Sequence, residues 1–356
     1  MNNTEEKIYS FKNDYSEGAH PNILQALAET NAEQQAGYGE DDYSKRASNI
    51  LRKEVQDENS DIHFVSGGTQ ANLIVIASIL KPYESVIAAD TGHINTHEAG
   101  AIEATGHKIN TVATKNGKLS PEKIEPLLEH HTDEHMVKPK LVFISNSTEL
   151  GTIYTKRELS ELYSFCKAND LLLYLDGARL GSALCSAKND LSLAELSNLV
   201  DVFYIGGTKN GALCGEAIII NNDDLKDDFR FHLKQRGALF AKGRVLGIQF
   251  VELFKDDLFF SLAEHANLMA DKLSQNIAGL GYKFLTETSS NQIFPIFPKP
   301  LIDKLSEKYS FHIWSEVDNQ LSAIRLVTSW ATKEEMVDRF ISDLEEYSTS
   351  EHKKNR

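Results

Sequence analysis

The 356-residue sequence predicts an α/β protein: a mainly parallel seven-stranded sheet with helices on both faces, followed by a smaller C-terminal α+β domain. Three observations predict this class. From residue 61 onward, short runs rich in Val, Ile and Leu recur between stretches of helical periodicity. Those runs are continuously apolar rather than alternating, the pattern of strands whose two faces are both covered by helices. After residue 221 the alternation loosens into longer helical passages with only two or three strands, as in a small domain packed on a larger one.

Taken in order, the chain opens with a polar arm and a helix at 22–33. The turn Gly37-Tyr38-Gly39-Glu40-Asp41-Asp42 follows, and then a helix at 44–57 through Ala47, Ile50, Leu51 and Val55. Strands are expected at 62–65, 85–89, 108–113, 140–146, 171–176, 202–205 and 217–220, with amphipathic helices between most of them, for example at 69–80, 121–130, 156–168 and 191–199. Helical spacing continues at 225–233 and 243–279. The last hundred residues show strands at 283–285, 292–297 and 323–328 and helices at 301–309 and 333–346, with a tail at 348–356 expected to fray. The organisation read from this is an N-terminal arm with helices (1–60), a large α/β domain (61–245) and a small α+β domain (246–356).

Composition narrows the function classes. Apolar residues make up 41% and charged residues 25%, ordinary for a soluble globular protein, and the net charge of −15 argues against nucleic acid or an anionic membrane as a partner. Cys166, Cys185 and Cys214 are odd in number and lack metal-type spacing, so neither a disulfide framework nor a metal site is expected. Residues 1–10 are polar with no apolar segment behind them, and the longest apolar stretch, 73–80, is too short to cross a bilayer. A cytoplasmic protein is expected.

The chemistry centres on Gly206-Gly207-Thr208-Lys209, where a buried strand ends in two glycines that deliver one lysine into a tight turn. Such a lysine is either solvated or stripped of water and proton, and in the second state it forms a Schiff base with an aldehyde cofactor, pyridoxal 5'-phosphate being the candidate. Ligands of open parallel sheets sit beyond the carboxyl ends of the strands, so the partners of this lysine are expected at those ends.

After the first strand, Ser66-Gly67-Gly68-Thr69-Gln70-Ala71-Asn72 opens a helix whose N-terminus suits a phosphate, or is a plain capped turn. Asp176 ends an apolar strand before Gly177-Ala178-Arg179. It either pairs with Arg179 or caps a turn, or it meets a protonated pyridine nitrogen and keeps that ring electron-poor. His93 and His97 are either an aromatic lid and its neighbour or two surface residues one turn apart; no third metal ligand accompanies them. Glu149 is either a general base or a cap. Arg325, inside Ile324-Arg325-Leu326-Val327, is either a carboxylate fork or an edge-strand arginine.

Together these residues resemble the threonine aldolases within the β-eliminating lyase group of fold-type I pyridoxal phosphate enzymes, from about residue 11 to about residue 346. The specific matches are Gly68 to Asn72, the His93 to Glu98 spacing, Asp176-Gly177-Ala178-Arg179, Thr208-Lys209 and Arg325-Leu326-Val327-Thr328. The resemblance implies Lys209 as Schiff-base lysine, Asp176 as pyridine-nitrogen partner and His93 as ring-stacking residue. It also implies phosphate contacts from Gly68, Thr69 and Thr208, and substrate contacts from Arg179 and Arg325, with Asn13 in the N-terminal segment. A homodimer or homotetramer is implied too, with Tyr38 near the neighbouring site.

The chain departs from the family in four places. Lys12-Asn13-Asp14 replaces Arg-Ser-Asp, and Glu149 stands where many threonine aldolases carry histidine. The turn after Lys209 reads Asn210-Gly211-Ala212-Leu213-Cys214-Gly215, and Gly237-Ala238-Leu239-Phe240 replaces the later Gly-Gly-Met-Arg. The expected reaction is cleavage of threonine or allo-threonine to glycine and an aldehyde, with Glu149 taking the hydroxyl proton. The alternatives are β-elimination or transamination on another small amino acid, or a catalytically silent binding protein of the same fold.

Overall fold

In the computed structural model, which describes residues 8–354 and side chains as far as residue 348, the seven expected strands form one sheet. Edge to edge the order is Asp61–Val65, Glu216–Ile220, Val202–Gly206, Leu172–Asp176, Lys138–Ser145, Glu84–Ala89 and Lys108–Val112. Six of the strands run in one direction and Glu216–Ile220 runs against them. The segment 207–215 that leads into it is too short for the crossover a parallel partner requires. The reversal brings Glu216 to the edge where the parallel strands finish: it stands opposite both Gly206 and Val65 in register, while Asp176 stands opposite Ser145.

Alternate residues of each strand bury on opposite sides of this sheet, which is why the runs are apolar throughout. Leu173, Leu175, Phe203 and Ile205 pack on one side with helix residues Leu159 and Leu162. Tyr174, Tyr204 and Phe143 pack on the other with Ile74 and Val75. Local signals start the helices: Asp41 accepts the Ser44 N–H at 2.7 Å ahead of Asp42–Val55, and Thr155 with Glu158 forms a capping box ahead of Lys156–Ala168.

The small domain has its own core of Phe297, Leu301, Leu326, Val337 and Phe340, and Phe11 from the N-terminal arm is buried in it. Removing that ring from water is worth roughly 1.5–3 kcal/mol. The arm also pairs Tyr9–Ser10 in parallel with Tyr309–Ser310, and its Phe11 carbonyl accepts the Val327 N–H at 2.9 Å. Only long-range pairing reveals this docking, which carries residues 12–14 to the site.

Several boundaries differ from the sequence expectation. The passage 243–279 is two helices, Arg244–Leu253 and Leu258–Gly279, because Asp256 and Asp257 take positive φ of 53° and 57°, which an α-helix of L-residues does not tolerate. The helix expected at 301–309 is Lys299–Ser306, and Tyr309 is already in a strand. A strand at His312–Glu316, which sequence reasoning missed, covers the outer side of Leu321–Val327. The tail does not fray from residue 348: the helix Glu334–Lys354 runs on, with the Ser348 hydroxyl bonded to the Leu344 carbonyl at 2.6 Å and to the Tyr282 hydroxyl at 2.7 Å. Residues 1–7, 355 and 356 lie outside the described residues.

Candidate active site

The strand Leu172–Asp176 is apolar up to its last residue, so Asp176 arrives at the sheet edge almost fully buried. A buried carboxylate needs donors. Its Oδ1 accepts the Tyr204 hydroxyl at 2.5 Å and the Ala178 N–H at 2.9 Å, and its Oδ2 accepts the Asn72 side-chain amide at 3.0 Å. Asn72 is anchored in turn by the Tyr174 hydroxyl at 2.8 Å, and its amide also donates to Glu98 at 2.7 Å. Glu98 holds His93 Nδ1 at 2.8 Å. A single hydrogen-bonded chain therefore links Asp176 to His93.

On the neighbouring strand end, Glu149 accepts the Ser145 hydroxyl at 2.7 Å and the His93 backbone N–H at 3.0 Å. Burial first, and then the nearby Asp176 carboxylate, push its pKa upward. Lys209 lies with Asp14, Ala178, Arg179, Gly206 and Asn291 around a small cavity at the same edge. Burial pulls its pKa down, reinforced by the Arg179 charge and opposed by Asp14, Asp176 and Glu216. Among the described residues none hydrogen-bonds its Nζ, so an amine of depressed basicity faces the cavity.

The helix Gly68–Ile79 begins without a side-chain cap on its first turn. At Gly68 a Cβ would come within 2.9 Å of the Tyr204 hydroxyl that holds Asp176, so only glycine lets this turn approach so closely. Thr69 sits in that first turn. Thr208 lies across from it in sequence terms on the lysine turn, where its Oγ1 accepts the Gly215 N–H at 3.0 Å.

Arg179 is not the partner of Asp176. Its Nε and Nη2 fork onto Asp14 at 2.7 and 3.0 Å, and Asn291 donates to the same carboxylate at 2.9 Å. Asp14, delivered by the docked arm, is thereby the buried member of the Lys12-Asn13-Asp14 segment, whereas Asn13 is half-buried and spends its side-chain carbonyl on the Tyr15 N–H and the Ser16 hydroxyl. Arg325 is on an inner strand of the small sheet, not an edge strand. Its guanidinium stands 5.1 Å from the Trp314 ring centre, and its buried Nε has no hydrogen-bond partner among the described residues. The His97 ring lies 5.6 Å from His93 and 6.5 Å from Trp314, so it is exposed yet bridges the large and small domains. Tyr38 is apart from this cluster. It lies exposed in a surface groove, with the Lys234 ammonium 4.4 Å from its ring centre.

Sequence reasoning gave no role to Asn72, Glu98, Tyr204, Asp14 or Glu216, although Asn72, Glu98 and Asp14 stood inside stretches it singled out. Glu216 was findable by the argument used for Asp176, since it is a carboxylate at the head of the apolar run Ala217-Ile218-Ile219-Ile220. The roles of the others depend on partners at least 26 positions away in sequence.

Comparison with known proteins agrees with this architecture. A family model described as Beta-eliminating lyase matches residues 12–298. A low specificity L-threonine aldolase of Pseudomonas aeruginosa is 34% identical over 94% of this chain and 96% of its own. The structure of a Leishmania major threonine aldolase superposes with a TM-score of 0.94 at 48% identity, covering 96% of this chain and 99% of that one. More distant in sequence, Thermus thermophilus aspartate aminotransferase shares the fold at 14% identity and a TM-score of 0.69. The chain belongs to the β-eliminating lyase family and, with its mostly parallel sheet and smaller C-terminal domain, has the fold of the fold-type I enzymes.

Proposed function

We propose that this protein is an aldehyde-lyase that cleaves a β-hydroxy-α-amino acid, threonine or allo-threonine, to glycine and an aldehyde, using pyridoxal 5'-phosphate held at Lys209. The observation that carries the reading is the meeting of a depressed-pKa amine at Lys209 with the three-donor Asp176 carboxylate on one sheet edge, in a chain similar throughout to threonine aldolases. The residues fit the cofactor. A carboxylate has about four acceptor positions, and Asp176 uses three of them, which suits one further N–H donor. The uncapped helix turn at Gly68 and Thr69 suits a phosphate.

When bound, pyridoxal phosphate supplies the electron sink for bond cleavage next to the amino acid's α-carbon. Lys209 offers an Nζ of depressed basicity for covalent attachment. Asp176, kept in place by Tyr204 and Asn72, would hold a proton on the ring nitrogen, and His93, oriented by Glu98, would cover the ring. Gly68 and Thr69 would bind the phosphate, whereas the Thr208 hydroxyl, expected there too, accepts the Gly215 N–H and turns to Glu216. Arg325, with Arg179 fixed beside it by Asp14, orients the substrate carboxylate, and Glu149 takes the β-hydroxyl proton on a side-chain oxygen. Residues 61–245 bear the cofactor groups and 246–356 contribute Arg325. The protein acts in the cytoplasm as a homodimer or homotetramer in which the exposed Tyr38 reaches the neighbouring site; its cysteines are unpaired and none of the described helices is long and apolar enough to cross a membrane.

Product analysis tests the reaction. Threonine should yield glycine and acetaldehyde; pyruvate or another 2-oxo acid in their place would overturn the assignment in favour of elimination or transamination. Glu149→Gln should lower kcat/KM by roughly 10²–10⁴-fold, the usual range for a general base, while the cofactor's near-visible absorption survives. Because the base must be deprotonated and its pKa lies above the ordinary carboxylate value, the acid limb of the wild-type profile should rise at a pH above about 4.5 and vanish in the variant. Full aldol cleavage by Glu149→Gln would remove Glu149 from the role. Replacing Arg325 with alanine should raise KM for threonine about 10- to 100-fold with a smaller change in kcat, as expected for losing a charged hydrogen bond of roughly 1.5–3 kcal/mol; an unchanged KM would show that the carboxylate binds elsewhere.

A further inference from the structure

One buried acid next to the lysine turn has no part in the mechanism above. Glu216 is the first residue of its strand, stands opposite Gly206, and is almost completely buried. Its Oε2 accepts the Gly207 N–H at 2.8 Å. Thr208 Oγ1 already accepts the Gly215 N–H, so the single hydrogen of that hydroxyl goes to the Glu216 carboxyl group. Both residues immediately before Lys209 are therefore tied to one carboxyl group.

We propose that Glu216 is a positioning residue for Lys209, holding the lysine turn through Gly207 and Thr208 and setting, by its negative charge, the pH at which the lysine amine becomes free to capture the cofactor aldehyde. The inference rests on the reading of Lys209 as the cofactor lysine. The surroundings leave the lysine as the cation that answers this acid. Strand Leu172–Asp176 contributes Asp176 and the Tyr174 phenol, and strand Val202–Gly206 contributes the Tyr204 phenol. On the other side Val65 is the strand neighbour, and helix Arg244–Leu253 packs Leu246 and Phe250 against Gly215. Burial pushes the Glu216 carboxyl up to about 7 and Lys209 pulls it back, while the Glu216 charge raises Lys209 in return. Each charge thus favours the other: the carboxylate favours the ammonium, and the ammonium favours the carboxylate.

The test follows capture of pyridoxal phosphate by the cofactor-stripped protein, read as growth of the near-visible band across a pH series. Glu216→Gln keeps an acceptor for the Gly207 N–H but has no charge. Without that charge the lysine ammonium is less favoured, so the midpoint of the capture rate should move to lower pH by about one unit, a roughly tenfold faster capture below the midpoint. Glu216→Asp, which keeps the charge, should stay within a fraction of that shift of the wild type. If Glu216→Gln does not fold, Thr208→Val serves instead: losing the hydroxyl donor weakens the carboxylate charge and should move the midpoint in the same direction by less. A midpoint unmoved in the folded Glu216→Gln protein, or in Thr208→Val where that serves, overturns the proposal with the cofactor assignment intact. Failure of the wild-type protein to develop the band at all overturns the cofactor assignment and this inference with it.

Discussion

Lys209→Ala is expected to yield a folded protein with no near-visible band after incubation with pyridoxal phosphate, no borohydride-fixable adduct, and a loss of threonine cleavage on the order of 10⁵-fold or more, as when a covalent catalytic group is removed. The fold should survive because the Lys209 amine is not a structural bond. None of the described residues hydrogen-bonds it, and its removal relieves the burial that lowers its pKa. The glycines around it, whose close contacts shape the turn, are untouched: a Cβ at Gly206 would lie 2.5 Å from the Ala178 carbonyl oxygen, and one at Gly207 2.7 Å from the Gly215 carbonyl oxygen. Mass spectrometry after borohydride treatment checks the result. A pyridoxyl adduct still forming on the variant would move the attachment point to another lysine and dismantle the site as described.

The second large effect is expected at Asp176. In Asp176→Asn the side chain is nearly isosteric, and its carbonyl oxygen still accepts the Tyr204 hydroxyl and the Ala178 N–H, now at 2.5 and 2.9 Å. The position facing Asn72 becomes an amide that donates where a carboxylate accepted, at 3.0 Å from the Asn72 amide. Two donors then face each other in a buried place, and no negative charge remains to hold a proton on the pyridine nitrogen. A fall in kcat of roughly 10²–10³-fold is expected from the lost charge alone, by analogy with removal of one preorganised electrostatic partner, with a shift of the cofactor's absorption band at fixed pH. Spectra and steady-state rates of the same preparation check it. An unshifted band with an unchanged kcat would mean that this carboxylate serves only to tie Tyr204 and Asn72 together.

The site was legible in the sequence where chemistry is local and illegible where it is not. Lys209 behind two glycines, Asp176 at the end of an apolar strand, and Gly68-Thr69 at a helix start are each announced by the residues beside them, because a polar group that terminates a buried run needs a reason. Glu216 carried the same signal. By contrast, Asp14 reaches Arg179 across 165 positions of sequence, and Asn72 reaches Asp176 across 104. No periodicity in either segment encodes those distances. The break at Asp256 and Asp257 escaped notice for a related reason: aspartate is neither glycine nor proline, and its left-handed backbone shows only once the two flanking helices have found their partners.

By itself, then, the amino-acid order determined the class of the fold, the seven strands of the main sheet, and the lysine and aspartate placed at their ends, since strand burial and turn chemistry are decided by residues a few positions apart. Tertiary structure alone decided that the N-terminal arm docks on the small domain, that Arg179 answers Asp14 rather than Asp176, and that Glu216 joins the lysine turn. Those pairings follow from which strands become neighbours and in which direction they run, and that choice is settled by the burial of the whole sheet between its two helical layers.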